Sequence, residues 1–145
     1  MRARARYRDA VPVIMLLAAV LAAEEVSFVL VGSAGLHLHG ERIRVRDIDA
    51  VPSPGRNNLG KLHSVVADLS VDGRVPAPRS FAAADLVSVR TGYGTLDCLM
   101  ERGRLDWDRL RAGARPFDLC GVRVLVASAD DIRLLRARYK DVDDD

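Results

Sequence analysis

Apolar positions come in short blocks separated by Gly, Pro and charge, and the spacing within each block sets its element. Val11–Ala23 (VPVIMLLAAVLAA) is almost unbroken apolar chain. It predicts a core helix over about 9–25, with Asp9 and Pro12 in the first turn, where an acid and a proline are best tolerated. Glu24 and Glu25 end it. Val26–Val31 (VSFVLV) is a continuous apolar run stopped by Gly32, the pattern of a buried strand. Ser33–His39 predicts a short helix closed by Gly40. Arg44–Val51 alternates, with Arg46, Ile48 and Ala50 on one face and Val45, Asp47, Asp49 and Val51 on the other.

After the turn at Ser53–Gly55, Leu59, Leu62, Val66 and Leu69 form one stripe of a helix over 56–69. Val71–Ala84, which holds Pro76 and Pro78, predicts a loop or irregular edge. Leu86–Arg90 and Thr95–Met100 predict two strands joined by a glycine-rich hairpin turn at Thr91–Gly94. A short helix over Asp106–Ala112 carries Trp107, which we take as a core anchor. A last strand spans Val122–Ala127. Ser128 then caps a helix running to about Tyr139, with Asp131 three residues on as an acidic capping box. The order α-β-α-β-α-β-β-α-β-α predicts an α/β (α+β) fold, a mixed sheet of about five strands flanked by helices. We expect one domain over 1–145, frayed at 1–10 and ending in an acidic tail at 142–145.

Residues 1–23 admit other readings. Arg2, Arg4, Arg6 and Arg8 before an apolar stretch, with small residues at Ala19–Ala23, also have the layout of a signal peptide. The stretch is shorter than the roughly 20 apolar residues of a membrane span. A start at Met15 is a third reading. We carry forward the core helix in a cytoplasmic protein with no membrane partner.

Composition narrows the choices a little. The chain is 145 residues with 49% hydrophobic positions, enough to bury a core. Its net charge of +2 is too balanced to argue nucleic-acid binding from composition. Cys98 and Cys120 have no metal-like spacing and sit in apolar runs, as buried free thiols would. His37 and His39 point about 200° apart on a helix, which disfavours a shared metal. His63 reads as a surface residue. Ser64 and Ser80 have no visible base, so a hydrolase triad lacks support.

Three features carry chemistry. Gly32-Ser33 joins a strand to a helix, where free backbone amides and an absent Cβ suit a phosphate. Asp47-Ile48-Asp49 puts two carboxylates on the same side of a strand, a repulsion that a hard cation such as Mg²⁺ would relieve. Asp97 is a lone charge in the apolar strand Thr95–Met100. Taken singly, each has an ordinary explanation as a turn, a solvated strand edge or a local hydrogen-bond acceptor. Together, three acids from two strands facing a phosphate-binding turn form a site for metal-assisted displacement at phosphorus.

The stretch FVLVGSAGLHLHG-x5-RDIDAVP, with 13 residues between Ser33 and Asp47, resembles the amino-terminal half of bacterial minimal nucleotidyltransferases of the DNA-polymerase-β-like superfamily. GTLDCL is similar to the strand bearing that superfamily's third carboxylate. VLVASADDIRLLRARYKD resembles the tail of its AbiEii-like, toxin-related members. The smallest members, paired with four-helix antitoxins, read G-S-x-A-R-G where this chain has GSAGLHLHG.

The resemblance implies that Gly32 and Ser33 hold the triphosphate of a nucleotide such as ATP. It implies Asp47, Asp49 and Asp97 as catalytic acids and ligands of Mg²⁺ or Mn²⁺. Arg138 and Lys140 would neutralise phosphate charge. The implied activity is transfer of a nucleoside monophosphate from an NTP to a hydroxyl of tRNA, protein or a small molecule. An antitoxin partner or a second copy would complete the cleft. A non-catalytic nucleotide-binding or interaction module on the same fold is the alternative.

Overall fold

The computed structural model describes residues 12–100 and 106–143, with side chains as far as residue 137. Asp9 and the arginines of the first eight residues lie outside the described residues. A 3₁₀ turn at Val13–Met15 leads into α1 (Leu16–Ala23), shorter at its start than the sequence suggested. Met15, Leu17, Ala18, Ala19 and Leu21 are buried, which makes this segment part of the core. Glu24 stands at the helix end as expected, and Glu25 turns the chain with a φ of 64°.

Six strands form one mixed sheet in the order β3-β4-β2-β1-β6-β5. They are β1 (Phe28–Val31), β2 (Asp47–Pro52), β3 (Leu86–Thr91), β4 (Gly94–Leu99), β5 (Arg115–Leu119) and β6 (Val122–Val126). β1 pairs antiparallel with β2 and parallel with β6; β2 pairs parallel with β4; β3–β4 and β5–β6 are antiparallel hairpins. All four residues of β1 are buried at the centre of the sheet, which explains its unbroken apolar run.

The remaining helices are α2 (Gly32–Leu38), α3 (Arg56–Leu69), α4 (Pro78–Ala83), α5 (Trp107–Gly113) and α6 (Ala129–Asp143). α3 buries the predicted Leu59, Leu62 and Val66. α2 packs on α6 so closely that a Cβ at Gly35 would lie 2.6 Å from Ile132 Cδ1. The Ser128 hydroxyl accepts from the Asp131 amide at 3.1 Å, the capping contact the sequence indicated. Trp107 is partly buried against the core.

Several boundaries depart from the expectation. The sheet has a sixth strand, β5, whose residues are mostly exposed and include Pro116; an edge position is where a proline is tolerated. β2 begins at Asp47, not Arg44, because its pairing with β4 starts there, at Asp47↔Thr95. Within 71–84, Pro78 opens α4, in the first turn where its missing N–H is harmless. α6 continues through Asp143, so the first half of the expected acidic tail, residues 142–143, is helical backbone. Cys98 is buried, whereas Cys120 is exposed at the β5–β6 turn with a φ of 55°. His63 is partly buried: its Nε2 lies 2.9 Å from the Pro76 carbonyl, and its ring stands edge-on to Phe81. Among the described residues, no helix is long and apolar enough to cross a membrane.

Candidate functional site

Strand register assembles the acids. In paired strands, partners share a face, so Val31, Asp49, Asp97 and Ser88 form one row across β1, β2, β4 and β3. Asp47, Thr95 and Arg90 form the next row on the same face. The opposite face of these strands carries Ile48, Ala50, Leu96, Cys98, Val87 and Val89, all buried. That contrast explains the alternation in β2 and β3: one side builds the core, and the other holds the charge.

Gly32 brings the β1–α2 turn against this row. Its φ is +65°, and a Cβ there would overlap the Asp49 carboxylate, with Cγ at 2.8 Å. Glycine is therefore required twice, by backbone conformation and by space. Ser33, half-buried, follows as the second residue of α2. The first-turn amides of α2 have no intrahelical acceptor.

Asp49 is pushed up to about 7, first by burial, then by the negative charge of Asp97 and a hydrogen bond shared with it, and then by Asp47; Arg136 opposes the rise. Asp47, more exposed, is raised by desolvation and by Asp97, against a lowering by Arg46. Burial, followed by the nearby Asp97, pushes the Cys98 thiol up to about 12, which keeps it protonated and unreactive. Asp97 accepts a hydrogen bond from the Ser88 hydroxyl at 2.5 Å.

The structure thus brings Asp49 and Asp97 into contact beside Gly32, with Asp47 one row away on the same face. Among the described residues, no three His, Cys, Asp or Glu side chains are placed to hold a metal ion as they stand. In chemistry the donor set fits a hard divalent cation: carboxylate oxygens whose mutual repulsion has, among the described residues, no ion pair to relieve it. Arg138 and Lys140 lie on the last turns of α6, and their side chains fall outside the described residues.

Two residues at the site were not anticipated. Ser88 is reached only through the β3–β4 register. Arg136 lies four residues after Ile132, on the α6 stripe that packs toward α2, and its charge acts on Asp49. Helical spacing from the buried Ile132 was the signal that could have found it. His39, set aside as a ligand, has its Nε2 2.8 Å from the Ala127 carbonyl and stands edge-on to Phe117.

Two expectations follow for the site. Metal-free protein is expected to lose stability as pH rises from about 4 to about 7. The unfolded Asp49 ionises near 3.8 while the folded one keeps its proton to about 7, so the advantage is complete below the lower value and gone above the upper. The loss is at most about 4 kcal/mol at 1.36 kcal/mol per unit. Urea denaturation in EDTA at pH 5 and pH 8 reads it, as the difference between wild type and Asp49→Asn.

Were these acids to hold Mg²⁺, Ser88→Ala would be expected to weaken its binding by about tenfold, as loss of an orienting partner does. Ser88→Thr should restore it. Titration calorimetry checks both, and an unchanged affinity in Ser88→Ala would remove Ser88 from the site.

The six-stranded mixed sheet flanked by helices matches the fold of a solved protein. The chain is similar in fold to the crystal structure of a protein named as a "putative nucleotidyltransferase" from Thermotoga maritima, with a TM-score of 0.59 and 14% identity over 83% of this chain and 78% of that one. No known family model and no curated protein matches the sequence. At this identity the likeness is one of fold.

Proposed function

We propose that the protein is a metal-dependent nucleotidyltransferase, moving a nucleoside monophosphate from an NTP to an acceptor hydroxyl with release of pyrophosphate. One observation supports it above the others. Three carboxylates share one sheet face beside a glycine turn whose missing Cβ makes room for one of them. On a fold shared with a nucleotidyltransferase-named neighbour, this is costly chemistry to keep without a use.

In this reading Asp47, Asp49 and Asp97 hold Mg²⁺ or Mn²⁺, which when bound would neutralise triphosphate charge and polarise the phosphorus centre. Gly32 and Ser33 present backbone and hydroxyl donors to the triphosphate. Asp97 doubles as the group that accepts a proton from the attacking hydroxyl, oriented by Ser88. Arg136, Arg138 and Lys140 supply positive charge from α6. ATP is the first nucleotide to test. The tail VLVASADDIRLLRARYKD supports placing the chain with the AbiEii-like, toxin-related branch, with tRNA, protein or a small molecule as acceptor and an antitoxin or a second copy as partner. A cytoplasmic location goes with such substrates.

The experiment is label transfer: purified protein with each α-³²P nucleoside triphosphate, Mg²⁺ or Mn²⁺, and bacterial RNA and protein extract. Label on a macromolecule, absent with an Asp47→Ala/Asp49→Ala variant, is the expected result. The acids' failure to stand as a ready three-ligand cage favours a second reading, a nucleotide-binding module without turnover. NTP binding by calorimetry with no transfer to extract or to small hydroxylated acceptors would select it.

A further inference from the structure

A groove of about 520 Å³ lies beyond the carboxyl end of β2, at the opposite end of that strand from Asp47. It runs between α3 and α4, and Arg56, Arg79, His63, Leu59, Gly60 and Ala82 line it. Three of these residues break local helix rules, and all three face the same space.

Arg56 is the first residue of α3 and Arg79 the second of α4, and neither helix has an acid in its first turn. A cation there opposes the helix dipole. Both guanidinium groups are exposed, and neither has a hydrogen bond or ion pair among the described residues. Gly60 is the third departure. It sits inside α3, where glycine costs about 1 kcal/mol relative to alanine. Packing gives no reason for it, since a Cβ at Gly60 would meet nothing within 4 Å. What the missing side chain does is leave the wall of the groove open. Departures from local preference without a structural return are the mark of a binding surface.

The walls are held rigid. Asn58 ties the start of α3 to the chain before β1, accepting from the Ser27 amide at 2.7 Å and donating to the carbonyls of Ser27 and Ser53 at 2.8 and 2.9 Å. His63, through the Pro76 carbonyl and Phe81, fixes the approach to α4. Two guanidinium groups are thereby kept on one open groove with no acid among its lining residues.

We propose that this groove is a phosphate-binding site, separate from the acids, in which Arg56 and Arg79 hold a phosphoryl group and Gly60 admits it. Guanidinium forks match phosphate oxygens in a way that a point charge does not. The phosphate comes either from a single-stranded RNA backbone or from a free polyphosphate. The inference stands apart from the nucleotidyl-transfer reading, because the acid site needs a cation to accept phosphate and this groove does not.

The test is binding in EDTA, at physiological salt, of inorganic tripolyphosphate in one arm and of a 12-nucleotide single-stranded RNA in the other. Wild type is expected to bind at least one, and the tighter arm names the source. Arg56→Ala/Arg79→Ala should weaken binding at least tenfold. In the RNA arm it should also lower the salt slope by roughly 1.4, at about 0.7 per phosphate contact for single strands. Arg115→Ala/Arg123→Ala, an equal loss of charge elsewhere on the surface, should leave binding within twofold. Gly60→Ala should melt at a higher temperature than wild type and bind more weakly. No binding by wild type in either arm, or an equal loss in the two arginine pairs, overturns the proposal.

Discussion

Asp49→Asn is expected to abolish nucleotidyl transfer while making the metal-free protein more stable. Loss of one carboxylate from a metal site forfeits several kcal/mol of charge stabilisation, about a thousandfold in rate. The same change removes a negative charge from a position that is mostly buried and pressed against Asp97. Above pH 7 that relief should add about 1–3 kcal/mol to the unfolding free energy. Label transfer and urea denaturation in EDTA read the two effects on one preparation. A variant that lost activity and also lost stability would mean that Asp49 serves the fold instead of a site.

Gly32→Ala is the second large effect, and it is structural. The positive φ costs an alanine about 1–2 kcal/mol. The added methyl would also fall on the Asp49 carboxylate and force it from its row. Together these should remove about 3–5 kcal/mol, a large part of what holds an ordinary domain folded. A double variant, Gly32→Ala/Asp49→Gly, should recover the part due to overlap and keep the part due to φ. Denaturation midpoints for the two single variants and the double give the coupling. Additive losses would show that the turn and the acid do not touch.

The carboxylates and the glycine turn were legible in sequence because each breaks the pattern around it: charge inside apolar strands, and Gly after an unbroken apolar run. What escaped depends on pairing. Ser88 lies nine residues from Asp97, and only the β3–β4 register makes them neighbours. Arg136 escaped because a sequence motif does not say which side of α6 meets α2. β5 went unseen because Pro116 and three other residues with no more than partial burial hide an edge strand. α4 was hidden by Pro76 and Pro78, which read as loop although Pro78 starts a helix. The role of His63 rests on a carbonyl thirteen residues away, which no periodicity encodes.

The parallel pairing of β2 and β4 also has a bearing on how the chain folds. The strands are separated by α3, α4 and β3, so their docking closes a long loop and comes late relative to the β3–β4 hairpin, whose contacts are local. The same docking brings Asp49 beside Asp97. Repulsion between the two acids is therefore concentrated in a single assembly event, and a proton or a cation present at that moment would speed that pairing.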